Sequence, residues 1–376
     1  MRNEQRTHGR RWLTRARLAV QVLLALLLAV TVAAQNPPAE PSLAGGGKLK
    51  VMTYNVYVGT EYVGMTDPNL TVFLQAATNM VLDIRASDPP GRAQAVARQI
   101  AAYSPHLVSL QEVFTLSTGP TKDNLTLEFD YLQLLLEALA DEGMQYTPVA
   151  SLTTWDATVP STLGYVRGTW RVVILARADL KPEHFFFTNF QAATWTAILK
   201  VGLPALNGRA DLCPVDLRPS DGACRMPMPR GWVSVDVTYR GQQFRIIGAH
   251  LDSASPLLEI PQGLELLNGP ANTVLPVIVA ADLNCDCSKP LDPFYPTCVN
   301  FADRGFIDAW TAANPFEPGY TRDVPNMTRR SDYVMVRGPF AVQTAALVGE
   351  EESDKTASGL YASDHAGVVI KFERPE

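Results

Sequence analysis

The sequence carries little charge, few cysteines and no excess of basic residues. Charged residues make up 19% of its 376 positions, and 32 lysines and arginines stand against 38 aspartates and glutamates, which gives a net charge of −6. This balance excludes a polycation that coats nucleic acid by releasing counterions. The apolar fraction of 47% excludes a disordered chain and allows a large buried core. No internal repeat or low-complexity run follows residue 47, so we predict one domain over residues 48–376, although the length alone also allows two.

The N-terminus has the layout of a secretory signal peptide. Residues 1–17 contain six arginines and one glutamate, and residues 18–34 are apolar except for Gln21 and Thr31. We predict a signal peptide over residues 1–34, cleaved during export to the periplasm or the extracellular space, and a flexible linker over residues 35–47. An uncleaved membrane anchor is the alternative, because 17 residues are near the lower limit of a span. Cleavage leaves 26 basic and 37 acidic residues, a net charge of −11.

The five cysteines fit an exported protein, and all lie in the second half of the chain. Cys213 and Cys224 enclose a stretch rich in proline, aspartate and glycine, which predicts a loop closed by a disulfide. Cys298 has two candidate partners, Cys285 and Cys287, and the sequence allows either pairing. A zinc site made of these three thiols is an alternative that an oxidising compartment disfavours.

Short apolar runs separated by turn residues predict more strands than helices. Helical spacing of apolar residues predicts helices over Ala93–Tyr103 and Tyr131–Gly143. The predicted strands are Leu49–Tyr57, His106–Val113, Arg171–Ala176, Trp232–Tyr239, Gln243–Ala249, Val277–Ala281, Asp332–Val336 and Gly367–Phe372. This mixture predicts an α/β fold whose strand ends deliver polar groups into one cleft.

Polar residues with useful chemistry stand at the ends of these strands. They are Asn55, Glu112, His250, Asp282, Asn284, Asp332, Asp364 and His365. Taken singly, a polar residue at a strand end is usually a turn residue or a cap. Taken together, carboxylates, carboxamides and histidines are the groups that hold a hard divalent cation and move protons.

The order of these residues resembles the endonuclease/exonuclease/phosphatase superfamily, which has the fold of pancreatic-type deoxyribonuclease, abasic endonuclease and bacterial sphingomyelinase. The motifs that carry the resemblance are TYN (53–55), LQE (110–112), AHL (249–251), ADLN (281–284), RSDYVMV (330–336) and SDH (363–365). Ala281 stands where glycine is usual in the family, and Ser331 stands where an aliphatic residue is common. The resemblance implies a four-layer α/β sandwich in which two packed mixed β-sheets are flanked by helices.

The resemblance also implies a metal site. Glu112 would be the principal ligand of Mg²⁺, with Asn55 beside it and Asp364 assisting this metal or a second one. Mn²⁺ or Ca²⁺ would be substitutes. A cation of this kind prefers oxygen ligands, and at a phosphodiester it offsets the negative charge that repels a nucleophile.

Five further residues would act on the substrate by the same resemblance. Asp282 would orient or deprotonate the attacking water, and Asn284 would help to hold the phosphate. His365 would contact the scissile phosphate, oriented by Asp332. His250 would hydrogen-bond to the phosphate or act near the leaving group.

The implied activity is hydrolysis of a phosphodiester, in nucleic acid or in a phospholipid head group, by in-line attack of an activated water. A phosphomonoesterase acting on a sugar or inositol phosphate is the alternative within the same chemistry, and a binding protein without catalysis is the alternative from another class. The charge of −11 argues against tight nonspecific binding of DNA. We expect a monomer without an obligate protein partner.

Other features leave alternatives open. His106 and His184 are expected to be turn residues without a catalytic role, and an arginine near Trp170, either Arg167 or Arg171, is either a phosphate contact or a surface ion-pair residue. The apolar segment 185–207 is either a lid suited to a phospholipid or a buried strand followed by a disulfide-braced loop.

Overall fold

The computed structural model describes residues 48–180, 185–209, 212–213 and 223–373. The predicted signal peptide and linker, residues 1–47, lie outside the described residues, and so does His184. No helix in the described part of the chain is long and apolar enough to cross a membrane.

Fifteen strands and six α-helices occur in these ranges. In chain order the strands are β1 (Leu49–Asn55), β2 (Leu107–Thr121), β3 (Asn124–Asp130), β4 (Tyr146–Ser161), β5 (Gly164–Arg177), β6 (Phe185–Thr194), β7 (Leu199–Gly202), β8 (Arg225–Met228), β9 (Gly231–Tyr239), β10 (Gln242–His250), β11 (Val277–Asp282), β12 (Ile307–Asp308), β13 (Asp332–Arg337), β14 (Ala341–Val348) and β15 (Gly367–Glu373). The helices are α1 (Leu70–Ala86), α2 (Pro89–Tyr103), α3 (Tyr131–Asp141), α4 (Pro256–Asn268), α5 (Tyr295–Asp303) and α6 (Ala309–Ala313).

Two mixed sheets form the centre of the fold. The first has the order β14-β15-β1-β2-β5-β4, with β3 paired to β2, and the second has the order β12-β13-β11-β10-β9-β6. Each sheet contains one parallel pair, β1 with β2 in the first and β10 with β11 in the second, and its other pairings are antiparallel. The carboxyl ends of each parallel pair therefore lie at one edge of their sheet.

The two sheets pack face to face through their aliphatic side chains. One buried cluster joins Val51 and Ile174 of the first sheet to Val235 and Ile278 of the second. Helices α1, α2 and α3 cover the outer face of the first sheet, and α4 and α5 cover that of the second. The four-layer α/β sandwich predicted from the resemblance is confirmed.

Local sequence explains why α2 begins where it does. The carboxylate of Asp88 accepts a hydrogen bond from the backbone N–H of Gly91 at 3.1 Å, and proline occupies the first turn, where its missing N–H costs nothing. The helix thus begins at Pro89, earlier than the predicted Ala93. Helix α1, capped by Asn69, was not predicted.

Two disulfides brace the second half of the chain. Cys213 is bonded to Cys224, as predicted, and Cys298 is bonded to Cys287 rather than to Cys285. Cys285 is a buried free thiol whose Sγ lies 3.4 Å from Sγ of Cys298. The disulfide excludes a three-thiolate zinc site in this state of the protein.

The apolar segment after residue 184 is built into the fold. Strand β6 forms the edge of the second sheet by pairing with β9. Leu203, Leu206 and Met226 lie in the same buried cluster as Phe73 of α1. Phe190 remains about half exposed, but the buried residues favour the strand and braced loop over a membrane-touching lid.

Candidate active site

The sheet topology brings the predicted residues together. Asn55 ends β1 and Glu112 lies in β2, so the carboxyl-terminal part of the first parallel pair supplies both. His250 and Asp282 end β10 and β11, where they are paired neighbours. Asp332 begins β13 opposite Asp282.

The last two predicted residues come from the segment before β15. Because β15 runs antiparallel to β1, with Val368 opposite Thr53, the residues that precede it lie near the end of β1. The Ser363 hydroxyl donates to the carbonyl of Asn55 at 2.7 Å and fixes this approach. Asp364 and His365 thereby face the ends of the parallel strands.

Glu112 is presented by an irregularity in β2. The pairing of β2 with β5 shifts register between Leu110 and Val113, and Glu112 adopts a left-handed φ of 58°. Its Oε2 accepts a hydrogen bond from the Val58 N–H at 3.1 Å, and its Oε1 accepts one from Asn55 Nδ2 at 3.2 Å. The bulge therefore turns the carboxylate toward the cleft, where its side chain keeps 20% exposure.

Asn55 lies between two carboxylates as a hydrogen-bond donor. Its Nδ2 donates to Asp282 Oδ2 at 3.0 Å as well as to Glu112, while its Oδ1 accepts from the Tyr57 N–H at 3.0 Å. In this arrangement the amide nitrogen, rather than the oxygen, faces the carboxylates. The side chain positions Glu112 and Asp282, and its role as a metal ligand stays a prediction.

Asp332 and His365 form a buried pair. Nδ1 of His365 donates to Oδ2 of Asp332 at 2.8 Å, and the same oxygen accepts from the hydroxyls of Thr321 and Ser331. Burial lowers the pKa of His365, but the charge and hydrogen bond of Asp332 outweigh it and raise the pKa to about 10. The role of Asp332 in orienting His365 stays a prediction, which this hydrogen bond supports.

His250 lies beside Asp282, on the side opposite to Asp332 and His365. Its Nε2 is 3.3 Å from Asp282 Oδ2, and the indole N–H of the buried Trp195 donates to its backbone carbonyl at 2.9 Å. Burial, followed by the positive charge of Arg230, holds the pKa of His250 well below its usual range, whereas burial and the charge of Asp332 raise the pKa of Asp282. The pKa values of the two histidines of the cleft are therefore shifted in opposite directions.

Two arginines that the sequence patterns did not identify also face the cleft. Arg322 Nη1 donates to Asn284 Oδ1 at 2.8 Å, and the backbone of Arg322 forms an isolated bridge with His365. Arg230, just before β9, contacts His250 Nε2 and donates to the Leu251 carbonyl at 3.1 Å. Arg230 lies between β8 and β9 and Arg322 lies between α6 and β13, where neither periodicity nor a motif marks them.

Asn284 is held in place from both ends of its side chain. Besides receiving the hydrogen bond from Arg322, it donates through Nδ2 to the Leu251 carbonyl at 3.0 Å, and its backbone has a left-handed φ of 54°. Its backbone N–H donates to Asp282 Oδ1 at 3.0 Å. The two residues form one rigid turn after β11.

The donor atoms of the cleft suit a divalent cation. Asp282 and Asp332 have carboxylate oxygens within 4.8 Å of each other, and Oδ1 of Asp332 is buried without a hydrogen-bond partner among the described residues. Burial raises the pKa of Asp364, and the nearby charge of Glu112 raises it further although His365 lowers it. Clustered carboxylates of this kind need positive charge, and their oxygens are the ligands that Mg²⁺ prefers. The residues therefore fit the predicted metal, and the choice of ligands stays a prediction.

Other residues weighed from the sequence lie elsewhere. His106 is buried between the sheets, where its Nδ1 accepts from the Lys50 N–H at 3.0 Å. Arg167 forms an exposed ion pair with Asp156, and Arg171 is paired with Asp130. These contacts favour the ion-pair alternative for both arginines.

The chain and its fold are similar to those of a known protein family. A model of the Endonuclease/Exonuclease/phosphatase family matches residues 52–365. The fold is similar to that of a protein of the same family from Bacteroides thetaiotaomicron, with a TM-score of 0.53 and 15% identity over 87% of this chain and 98% of the other. It is similar to another from Leptotrichia buccalis, with a TM-score of 0.52 and 17% identity over 87% and 100%. No curated protein sequence matches the chain.

Proposed function

Because the chain belongs to the endonuclease/exonuclease/phosphatase family, we propose that it is an exported, metal-dependent phosphodiesterase. Enzymes of this family are hydrolases that act on phosphate esters and generally use divalent metal ions. The two disulfides support export, since such bonds persist in oxidising compartments. The proposed substrate is a phosphodiester of a nucleic acid or of a phospholipid head group.

The proposal depends on one observation: the hydrogen-bonded pair of Asp332 and His365 lies beside a second buried acid, Asp282. Oδ2 of Asp332 holds Nδ1 of His365 at 2.8 Å, and Asp282 stands opposite Asp332 in the sheet. This arrangement supports two separate tasks, since one residue donates to the phosphate while another accepts a proton from the attacking water. Burying two acids costs stability, and this cost favours a catalytic role over a binding protein without catalysis.

Each side chain of the cleft then has a task in the reaction. Arg230 and Arg322 attract the anionic phosphate and hold its oxygens, and Asn284, fixed by Arg322, adds a hydrogen bond. His365 donates to a phosphate oxygen. Asp282 orients the water in line with the leaving group and accepts its proton.

Glu112, Asn55 and Asp364 are the residues proposed to hold the cation. When bound, a divalent cation supplies the positive charge that stabilises a phosphate under attack. Asn55 keeps the carboxylates of Glu112 and Asp282 at a fixed separation through its two hydrogen bonds. His250 completes the cleft near the leaving group, held by Trp195 and Arg230.

The test is hydrolysis of bis-p-nitrophenyl phosphate by the purified protein after treatment with EDTA. We expect no turnover without metal and recovery with Mg²⁺ or Mn²⁺. Glu112→Gln should reduce turnover, whereas Asp236→Asn, which breaks a buried ion pair with Arg245 in the second sheet, serves as the control for general damage. Absence of turnover with Mg²⁺, Mn²⁺ and Ca²⁺ would contradict the proposal.

A substrate panel then separates the candidate esters. Nicking of plasmid DNA indicates a nuclease, release of phosphocholine from sphingomyelin indicates a phospholipid substrate, and release of inorganic phosphate from a sugar phosphate indicates the monoesterase alternative. His365→Ala should abolish whichever activity is found. Activity that survives this substitution would remove His365 from the mechanism.

A further inference from the structure

Arg92 is a fully buried arginine that binds backbone carbonyls from two separate loops. It lies in α2, with 1% of its surface exposed. Its Nε donates to the Ala362 carbonyl at 2.7 Å, and its Nη2 donates to the carbonyls of Val56 and Tyr57, the latter at 2.5 Å. The remaining nitrogen, Nη1, donates to Ser87 Oγ at 2.9 Å. One guanidinium thus joins α2 to two loops that are about 300 positions apart in sequence.

No carboxylate among the described residues forms a hydrogen bond or ion pair with this guanidinium, which is unusual for a buried charge. Burying a cation is costly unless its donors are satisfied. Here the N–H groups of the planar guanidinium donate to neutral carbonyl oxygens. The ring centroids of Tyr57 and Tyr131 lie 5.2 Å and 5.7 Å from the Cζ of Arg92. An apolar residue at this position would leave these carbonyls without their donor, so the arginine does more than fill space.

The two loops are the ones that carry the proposed metal ligands. The loop after β1 contains Val58, whose N–H donates to Glu112 Oε2. Ala362 lies two residues before Asp364. The Arg92 side chain therefore connects the segment that orients Glu112 with the segment that carries Asp364.

The loop after β1 also fits closely against α2. Gly59 has a φ of +99°, and a Cβ there would lie 2.6 Å from Ser87 Oγ and 3.1 Å from Arg92 Nη1. Only glycine therefore allows the loop to approach the guanidinium this closely.

We propose that Arg92 is a positioning residue that sets the separation of Glu112 and Asp364 and thereby the affinity for a divalent cation. The proposal rests on the proposed function, because it takes these two residues as ligands. A lysine at position 92 keeps the positive charge, but its single ammonium lacks the fork that reaches carbonyls on both loops.

Two measurements on Arg92→Lys test the proposal, with Arg245→Lys as the matched control. Arg245 of β10 is also buried, at 8% exposure, and donates to Asp236 of β9 and to the carbonyl of Pro270. In the metal-free protein, we expect amide hydrogen exchange over residues 56–60 and 362–366 to become at least tenfold faster in Arg92→Lys and to stay unchanged in the control. Titration with Mn²⁺ alone, followed by the loss of its free EPR signal, should show at least tenfold weaker binding in Arg92→Lys.

The outcomes separate the two proposals. If the wild-type protein does not bind Mn²⁺, the proposed function fails and this inference fails with it. If the wild-type protein binds Mn²⁺ and Arg92→Lys binds it equally well, or if both arginine variants weaken binding equally, the positioning role is overturned while the proposed function stands.

A second variant with a smaller change tests the proposal if Arg92→Lys does not fold. Ser87→Ala retains the guanidinium but removes the hydroxyl that receives Nη1. We expect it to weaken Mn²⁺ binding about two- to threefold and to speed exchange in the same two loops. Unchanged binding and exchange in Ser87→Ala would overturn the proposal.

Discussion

Asp332 accepts a 2.8 Å hydrogen bond from Nδ1 of His365, although Asp332 begins β13 in the second sheet and His365 lies just before β15 in the first. The bond crosses from β13 in the second sheet to the segment before β15 in the first. It fixes the imidazole ring so that its other nitrogen is directed by the protein scaffold rather than by solvent. The same oxygen of Asp332 is held by Thr321 and Ser331, so the acid itself has little freedom.

Asp332→Asn is expected to reduce kcat roughly 100-fold or more while leaving KM nearly unchanged, since an amide cannot hold a protonated imidazole as a carboxylate does. Steady-state hydrolysis of bis-p-nitrophenyl phosphate with saturating Mg²⁺ measures the effect. Asp236→Asn, which alters another buried ion-paired aspartate, is the control for stability. Equal losses in the two variants would show that Asp332 acts only on the fold.

Arg322→Ala is expected to lower kcat/KM about 100-fold, because it removes a guanidinium that faces the cleft and releases Asn284. The matched control is Arg167→Ala, in which the arginine forms an exposed ion pair with Asp156. Such pairs contribute little to stability, so we expect the control to retain wild-type kinetics. A loss of activity in Arg167→Ala would instead indicate that Arg167 contacts the phosphate.

His106 should make the fold sensitive to acid. Burial, followed by the charges of Arg177 and Lys50, lowers the pKa of His106 to about 3. The groups that face the imidazole from neighbouring elements are Lys50, Arg177, Asp179, Tyr239 and Arg240. Because the unfolded chain binds the proton with an ordinary pKa of about 6.5, it takes up more protons than the folded protein between pH 3 and 6.5.

This difference predicts that the contribution of His106 to the free energy of unfolding is fully present above about pH 6.5. The contribution decreases as the pH falls toward 3, by up to about 1.4 kcal/mol per pH unit. Urea unfolding of the metal-free protein between pH 4 and 7 measures it. His106→Gln should be less stable at pH 7 but should show a shallower dependence on pH. An identical dependence in both proteins would contradict a neutral buried His106.

Peptide mapping under non-reducing conditions should find Cys287 bonded to Cys298 and Cys285 as a thiol. Iodoacetamide should leave Cys285 unmodified in the folded protein and label it in denaturant. Replacing both Cys287 and Cys298 by serine should cost about 2–4 kcal/mol of unfolding free energy, measured against Cys285→Ser as the control. A mapped bond that includes Cys285 would refute the pairing.

Much of the fold could be predicted from the sequence because its central strands are short and apolar. The runs RVVILA and VIVAA are buried on both faces, and each lies within a strand of the structure. Strand β3 escaped prediction because all of its residues are exposed or half-buried, and pairing with neighbours decides its conformation. Helix α1 was missed although its buried residues follow helical spacing.

All eight predicted site residues lie at one end of the two sheets. Seven stand at or near a strand end, whereas Glu112 lies at the bulge inside β2, which continues to Thr121 rather than ending at the predicted Val113. The sequence did not reveal Arg230, Arg322 or Arg92, because an arginine in a loop or helix usually forms a surface ion pair. Only tertiary structure shows that Arg322 reaches Asn284 and that Arg92 reaches two loops. The choice between Cys285 and Cys287 was equally a matter of three-dimensional geometry.

The division of the cleft between two sheets has a consequence for how the protein becomes active. Asn55 and Glu112 belong to one sheet and His250 and Asp282 to the other, so neither sheet alone contains a complete set. Pairings such as β1 with β15 join the two ends of the domain, and we expect them to form late in folding because closing a long loop is slow. During refolding, enzymatic activity should therefore return later than the circular dichroism signal. The time at which activity returns then reports when the two sheets dock.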